Sequence, residues 1–151
     1  MNISYIRKTD FLSLESVTEP KILLDICDRF QYGVTDSNEF YSLYYVKPIK
    51  TFNTQKNKRY GDIFFTDIFS HHRICHMVCV EWPKSVTNMT PFKYKHFTTC
   101  CKKLADYMRE NMTKLLIAPV FGKEILEGNW TEILNIMKNT LPNCDLTVIR
   151  Q

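Results

Sequence analysis

A cluster of histidines and cysteines is the first feature of this 151-residue sequence with the residue types for chemistry. It comprises His71, His72, Cys75, His76 and Cys79. Imidazole and thiolate groups are the usual ligands of structural zinc, but no C-x-x-C pair completes a tetrahedral set. On a strand, Cys75 and Cys79 share a face that His76 does not, because successive side chains alternate. We therefore expect no metal site and no cofactor, and we interpret the thiols as small core residues.

Residues 118–134 (APVFGKEILEGNWTEIL) have the order of a phosphate-binding site: an apolar strand, a glycine exit and a helix N-terminus. Free backbone N–H groups and the helix dipole attract anions at such a junction. Gly122 follows the strand, and Asn129 begins the helix. Glu124 and Glu127 stand between them, where such sites use glycine. The segment therefore indicates a phosphate-binding frame that has been filled, closed or retuned.

Residues 46–60 (VKPIKTFNTQKNKRY) form a basic stretch without an acidic residue. Its charges are Lys47, Lys50, Lys56, Lys58 and Arg59. Phe52 and Tyr60 are interleaved with them, so the stretch has the composition to contact phosphates while its aromatic rings stack on bases. The alternative interpretation is a solvated, mobile loop between two strands.

Composition limits the class of protein that can position these residues. With 44% hydrophobic and 24% charged side chains, the chain is expected to fold as a single domain over residues 1–151. It has no apolar run long enough to span a membrane, and its first residues lack the apolar core of a signal peptide. We therefore expect no membrane contact and a cytoplasmic location, where the six cysteines stay reduced.

Short apolar segments in the first half predict strands. Residues 3–6, 41–49, 62–69 and 74–82 read as strands, the last covered on both sides, and residues 22–27 as a strand or short helix. Lys8, Thr9 and Asp10 are expected to form the exit turn of the first strand.

The second half alternates between helices and strands. Apolar residues spaced by three and four from Phe97 to Met112 predict a helix that Thr90 caps and Pro91 begins. Residues 115–120 read as a central strand, Asn129 caps a second helix in a capping box with Glu132, and residues 145–150 form a last strand. This order predicts an α/β sheet with helices on its faces.

At this point the chain resembles a known family. The matching segments are RYGDIFF or RICHMVCVEW, then PFKYKHFTTCCKKLADYM, LLIAPVFG and GNWTEILNIM followed by DLTVIR. They resemble a macrodomain, the ADP-ribose-binding three-layer α/β/α module with a mixed sheet. The pattern is similar in particular to the small stand-alone glycohydrolases that remove terminal ADP-ribose from proteins. Gly122 and Trp130 occupy places in the family's strand exit and last helix, and Asp10 occupies that of the aspartate that binds adenine.

The resemblance implies roles for further residues, together with departures from the family pattern. The first phosphate loop should fall within residues 28–40, where Gly33 is the sole glycine, and Glu124 replaces a glycine of the second loop. Lys84 matches the nucleophilic lysine of the hydrolase subgroup, and Glu127 lies one residue beyond the position of its catalytic aspartate.

Two hypotheses follow. In the first, the chain is a divergent macrodomain-like protein that binds ADP-ribose or a related nucleotide, free or attached to a protein, with Asp10, Gly33, Gly122 and Asn129 lining the cleft. Hydrolysis of an ADP-ribosyl bond would then use Lys84 or Glu127. In the alternative, the fold has lost its ligand and is an interaction module that binds protein or RNA through the basic stretch.

Overall fold

The computed structural model describes residues 1–16, 19–69, 71–82, 91–119 and 129–150. Within these residues, the strands are β1 (Asn2–Arg7), β2 (Lys21–Asp28), β3 (Ile63–Phe69), β4 (His72–Val80), β5 (Leu115–Pro119) and β6 (Asp145–Arg150). The helices are α1 (Asp36–Ser42), α2 (Lys47–Thr54), α3 (Tyr94–Glu110) and α4 (Trp130–Thr140), and a 3-10 helix spans Lys8–Ser16.

The strands form one mixed sheet in the order β1-β6-β5-β2-β4-β3. Every neighbouring pair is parallel except β3 and β4, which are antiparallel. The carboxyl ends of β1, β2, β4, β5 and β6 therefore meet at one edge of the sheet, which we call the carboxyl edge. Open α/β sheets bind ligands at this edge.

Helices cover both faces of the sheet. Helices α3 and α4 pack on one face through residues such as Phe97, Leu104, Ile133 and Met137, against apolar side chains of the central strands. On the other face lie the 3-10 helix, α1 and α2, which bury aromatic residues against the sheet. The expected three-layer α/β/α fold with a mixed sheet is thus confirmed.

Most of the predicted strands are present. Residues 22–27 are a strand rather than a short helix, and every residue of that strand is buried. Residues 74–80 of β4 are buried on both sides, as the sequence indicates. All six cysteines are free and buried, which confirms their assignment as core thiols. Among the described helices, none has the length and hydropathy to span a membrane.

The prediction of a strand at residues 41–49 is wrong, because this segment contains the end of α1 and the start of α2. Helix α1 begins after Thr35, whose side chain accepts a hydrogen bond from the N–H of Asn38. In the first turn of α2, Pro48 is favourable, since its missing N–H has no partner there in any case. The basic stretch is likewise largely helical rather than a loop.

Two other boundaries differ from expectation. Lys8, Thr9 and Asp10 begin the 3-10 helix instead of forming a simple turn. Helix α3 begins at Tyr94 and not at Pro91, because the backbone of Pro91 and Lys93 is hydrogen-bonded to the end of β4. Met112 lies beyond the end of α3 and is 88% exposed, so it is not part of the buried stripe.

Candidate functional site

A cleft of about 410 Å³ lies at the carboxyl edge, between the ends of β1, β5 and β6 and the helix α1. Its described lining is Lys8, Asp36, Glu39, Phe40, Leu43, Pro119, Ile149 and Arg150. This volume is in the range of small-molecule sites. The cleft therefore occupies the position that an α/β sheet offers to a ligand.

The lining combines an apolar floor with charges of both signs. Phe40 and Ile149 are buried and form the floor. The Lys8 ammonium lies 5.8 Å from the centre of the Phe40 ring, and the Arg150 guanidinium lies 4.2 Å from that of Tyr5. Two further lining residues, Asp36 and Glu39, belong to the first turn of α1. The apolar floor is complementary to a flat apolar group of a ligand. The two cations are complementary to an anionic group attached to it.

The structure places Asp10 at the same edge, on the 3-10 helix that follows β1. Its Oδ2 accepts a hydrogen bond from Arg7 Nε at 3.3 Å, and the side chain is 48% exposed. The described lining of the cleft includes Lys8 but not Asp10. An adenine contact by Asp10 therefore stays a prediction.

Gly33 lies between β2 and α1 with a φ of +101°, a conformation that favours glycine. Its N–H donates to Asn38 Oδ1 at 3.0 Å, and Asn38 is buried. This amide is thus directed into the protein. Gly33 supplies the bend of the loop, while its N–H is already hydrogen-bonded inside the chain.

Asp28 is the last residue of β2, and its carboxylate accepts hydrogen bonds from three further backbone N–H groups. Its Oδ2 accepts from the N–H groups of Phe30 at 2.8 Å and Gln31 at 3.1 Å, and its Oδ1 accepts from the N–H of Trp82 at 2.7 Å. The side chain is completely buried. Successive N–H groups that converge in this way make an anion-binding concavity. Here the protein's own carboxylate fills it.

Asn129 caps α4 as expected, accepting hydrogen bonds on Oδ1 from the N–H groups of Thr131 at 3.0 Å and Glu132 at 3.3 Å. Its own N–H donates to the Tyr94 hydroxyl at 2.7 Å. The reciprocal partner is therefore Tyr94 rather than Glu132 of a capping box. At this helix start too, backbone donors are paired within the protein.

The remaining predicted site residues, Lys84, Gly122 and Glu127, lie outside the described residues. Asp10 follows β1, Gly33 follows β2 and Asn129 precedes α4 in the chain, and a ligand contact by any of the three stays a prediction.

The basic stretch is only partly available to a partner. Phe52 is 1% exposed in the core, so it cannot stack on a base. Lys58 Nζ donates to the carbonyl oxygens of Phe52 at 3.1 Å and Gln55 at 2.9 Å, which stabilises the end of α2. The exposed cations of the stretch are Lys47, Lys50, Lys56 and Arg59.

A larger cavity, of about 640 Å³, lies at the opposite edge, where β2 and β4 begin. Two of its charged groups are engaged with each other. Arg73 pairs with Asp67 and donates to the Tyr107 hydroxyl at 2.6 Å, and these hydrogen bonds raise the pKa of its guanidinium. Lys47 Nζ reaches the carbonyl oxygen of Asp67 at 3.4 Å. The smaller cleft, at the carboxyl edge, is therefore the better candidate.

A buried polar network lies beneath α1, and sequence reasoning missed it. Asp25 accepts hydrogen bonds from Tyr32 at 2.8 Å, Ser37 at 2.7 Å and Asn38 at 2.7 Å, and its Oδ2 lies 2.8 Å from His76 Nδ1. Burial is the main reason that the pKa of the Tyr32 hydroxyl is raised, and the nearby Asp25 carboxylate is the second reason. The available signal was one carboxylate inside the otherwise apolar run ILLDIC.

Comparison with known proteins rests on structure, since no protein-family profile and no curated protein matches the sequence. A Bacteroides thetaiotaomicron protein of unknown function superimposes with a TM-score of 0.85 at 19% identity, over 100% of this chain and 99% of that one. A macrodomain protein from Streptomyces coelicolor gives 0.75 at 17% identity, over 98% of each chain. Thermosipho africanus DarTG, solved in complex with ADP-ribose, gives 0.70 at 11% identity, over 100% of this chain and 42% of that one.

Proposed function

Starting from the macrodomain fold of this chain, we propose that it binds ADP-ribose or a related adenine nucleotide in the carboxyl-edge cleft. The cleft itself is the observation that supports the proposal most strongly: an apolar floor with Lys8 and Arg150 at the strand ends. A structural neighbour with the same fold was solved with ADP-ribose. The adenine ring would lie on the floor near Phe40, and the phosphates would contact the cations.

The two acidic residues of α1 limit the affinity. Asp36 and Glu39 line the cleft, and repulsion between a carboxylate and a phosphate costs on the order of 1 to 4 kcal/mol per pair. The amides of Phe30, Gln31 and Gly33 are bonded within the protein, so they do not offset this repulsion. We therefore expect weaker binding than in a site whose glycine loops face the diphosphate.

Calorimetric titration with ADP-ribose, with AMP and adenosine as comparison ligands, tests the proposal. Arg150→Glu reverses a charge in the cleft, and we expect it to weaken ADP-ribose binding by roughly tenfold or more. The matched control is Arg109→Glu, on the exposed surface of α3. Adenosine binding should change less than ADP-ribose binding, since adenosine has no phosphate. No heat at millimolar ADP-ribose, or equal affinity in the two variants, would contradict the proposal.

Removal of ADP-ribose from modified proteins is the proposed activity, and the family resemblance supports it through Lys84 or Glu127. A glycohydrolase assay on an ADP-ribosylated protein tests it directly. Lys84→Ala and Glu127→Gln should abolish release of ADP-ribose while leaving the calorimetric affinity for free ADP-ribose largely unchanged. Release that persists in both variants would exclude these two residues as catalytic groups.

The interaction module is the second candidate, and the paired amides around Asp28 and Asn129 favour it. In this case RNA or protein would contact Lys47, Lys50, Lys56 and Arg59. Binding of a single-stranded RNA should then fall steeply with salt and should be lost when Lys50, Lys56 and Arg59 become alanine. Replacement of Lys102 and Lys103 on α3 is the matched control. RNA affinity that is indifferent to salt would exclude RNA as the partner of this surface.

A further inference from the structure

Three buried side chains on one face of the sheet place a carboxylate, a thiol and an imidazole against one another. Asp25 and Cys27 are two residues apart on β2, so their side chains lie on the same face of the sheet. His76 is the residue of β4 paired with Asp25. Asp25 Oδ2 lies 3.6 Å from Cys27 Sγ and 2.8 Å from His76 Nδ1, and Cys27 Sγ lies 3.8 Å from His76 Nδ1. We propose that these three side chains bind a transition-metal ion of the zinc class.

The donor set selects the class of ion. Oxygen, sulfur and nitrogen together suit Zn²⁺ and Co²⁺, whereas Mg²⁺ and Ca²⁺ take oxygen ligands. For bonds of about 2.0 to 2.1 Å to oxygen and nitrogen and about 2.3 Å to sulfur, tetrahedral geometry separates the donors by about 3.3 to 3.6 Å. Both separations from Cys27 Sγ are close to these values. The Asp25–His76 contact must widen by about half an ångström.

Charge balance also favours a divalent ion at this position. All three residues are completely buried, and an uncompensated charge is costly there. A dication with one carboxylate, one thiolate and one neutral imidazole sums to zero. On binding, the thiol proton of Cys27 leaves to solvent, and the imidazole carries its single proton on Nε2, so that Nδ1 can bind the metal.

Neighbouring side chains are placed to orient the ligands. The Thr66 hydroxyl lies 2.7 Å from His76 Nε2 and can accept that nitrogen's proton in a hydrogen bond. Ser37 and Asn38 donate to Asp25 Oδ1, which leaves Oδ2 directed at Cys27 and His76. The Tyr32 hydroxyl also donates to Asp25 Oδ2, at 2.8 Å. Such outer partners fix ring orientation and tautomer in metal sites.

Cobalt titration of the reduced wild-type chain, stripped of metal, tests the proposal. We expect one equivalent of Co²⁺ to bind, with a sulfur-to-cobalt charge-transfer band and visible bands of a four-coordinate ion, and Zn²⁺ to displace it. X-ray absorption of the zinc form should show one sulfur ligand besides nitrogen and oxygen. This wild-type measurement does not depend on whether any variant folds. The absence of charge transfer at millimolar Co²⁺, or a zinc shell without sulfur, would overturn the proposal.

Variants then assign the ligands. Cys27→Ser and His76→Gln should each weaken Co²⁺ binding by about 100-fold or more, since loss of an outer partner alone costs about 10- to 100-fold. Thr66→Val removes such an outer partner, so we expect it to weaken Co²⁺ binding by about 10- to 100-fold. Cys75→Ser is the matched control, because Cys75 is an equally buried thiol on the opposite face of the sheet. Equal loss in Cys27→Ser and Cys75→Ser would show that the proposed triangle is not the site.

Discussion

The two faces of the central strands β2 and β4 are equally buried but differ in chemistry. Toward α3 and α4 the strands present Leu24, Ile26, Cys75, Met77 and Cys79, which pack as an apolar layer. Toward α1 and α2 they present Asp25, Cys27 and His76, which are joined by hydrogen bonds. Apolar packing is non-directional and tolerates exchanges of similar volume, whereas each hydrogen bond in a buried network depends on its partner. Burial alone therefore does not indicate how a position responds to substitution.

The strongest test of this comparison is Asp25→Ala. The carboxylate accepts hydrogen bonds from three side chains and contacts His76, so its removal leaves several buried polar groups without an acceptor. We expect a loss of about 3 to 5 kcal/mol in the free energy of unfolding. Urea denaturation measures it, with Met77→Leu on the apolar face as the control, expected below about 1.5 kcal/mol. Equal losses in both variants would erase the distinction between the faces.

Leu104→Ala measures the apolar face at its centre. Leu104 of α3 is completely buried against the sheet, and truncation of such a residue costs about 2 to 5 kcal/mol through lost burial and the cavity left behind. Urea denaturation at fixed pH should place Leu104→Ala near the middle of this range. The neighbouring Lys103→Ala, on the exposed side of the helix, should change stability by less than about 0.5 kcal/mol. A small loss in the leucine variant would indicate that α3 adjusts to fill the space.

Thr66→Val isolates one bond of the polar face without changing side-chain volume. The Thr66 hydroxyl lies 2.7 Å from His76 Nε2, so valine leaves that nitrogen without its partner. We expect the free energy of unfolding to fall by about 1 to 3 kcal/mol in the metal-free protein. Thr98→Val on α3, where the hydroxyl donates to the Tyr94 carbonyl oxygen of its own helix, is the control and should cost less. A stabilising Thr66→Val would mean that this hydroxyl is not a required partner.

Asn129→Ala shows what a similar polar contact contributes at the surface. Loss of the two cap hydrogen bonds to Thr131 and Glu132 should destabilise the protein by about 1 kcal/mol. Asn129→Ser, which keeps a capping oxygen, should recover most of this loss in thermal denaturation. An alanine variant as stable as the serine variant would show that Tyr94, which accepts the Asn129 N–H, suffices to hold the start of α4.

Local signals in the second half of the chain were strong enough for prediction. The continuous apolar run at residues 115–120 corresponds to β5, which the structure describes to Pro119, and the helix after Asn129 begins at the capping residue. Both follow from short-range physics: an apolar segment too short for a helix, and a side chain that satisfies helix amides. The same features led to the prediction of a phosphate-binding frame between Gly122 and Asn129, which stays a prediction.

Residues 41–49 show why the first half was harder. Tyr41, Tyr44 and Tyr45 favour a strand by propensity, but packing of Phe40 and Tyr41 against Phe11 is achieved by a helix instead. The capping Thr35 and the helix-starting Pro48 were the signals that opposed propensity. Long-range pairing was a separate obstacle. Asp25 and His76 are 51 positions apart, and their contact depends on the register of two strands that the sequence does not display.

Because all six cysteines are buried, their reaction with a thiol reagent reports on unfolding of the chain. Burial raises the pKa of each thiol, so the metal-free folded protein presents protonated sulfur that an alkylating reagent does not reach. Unfolding exposes sulfur on both faces of the sheet and on α3. Mass spectrometry after a pulse of reagent would therefore count opened molecules and distinguish a fraying of one face from cooperative unfolding.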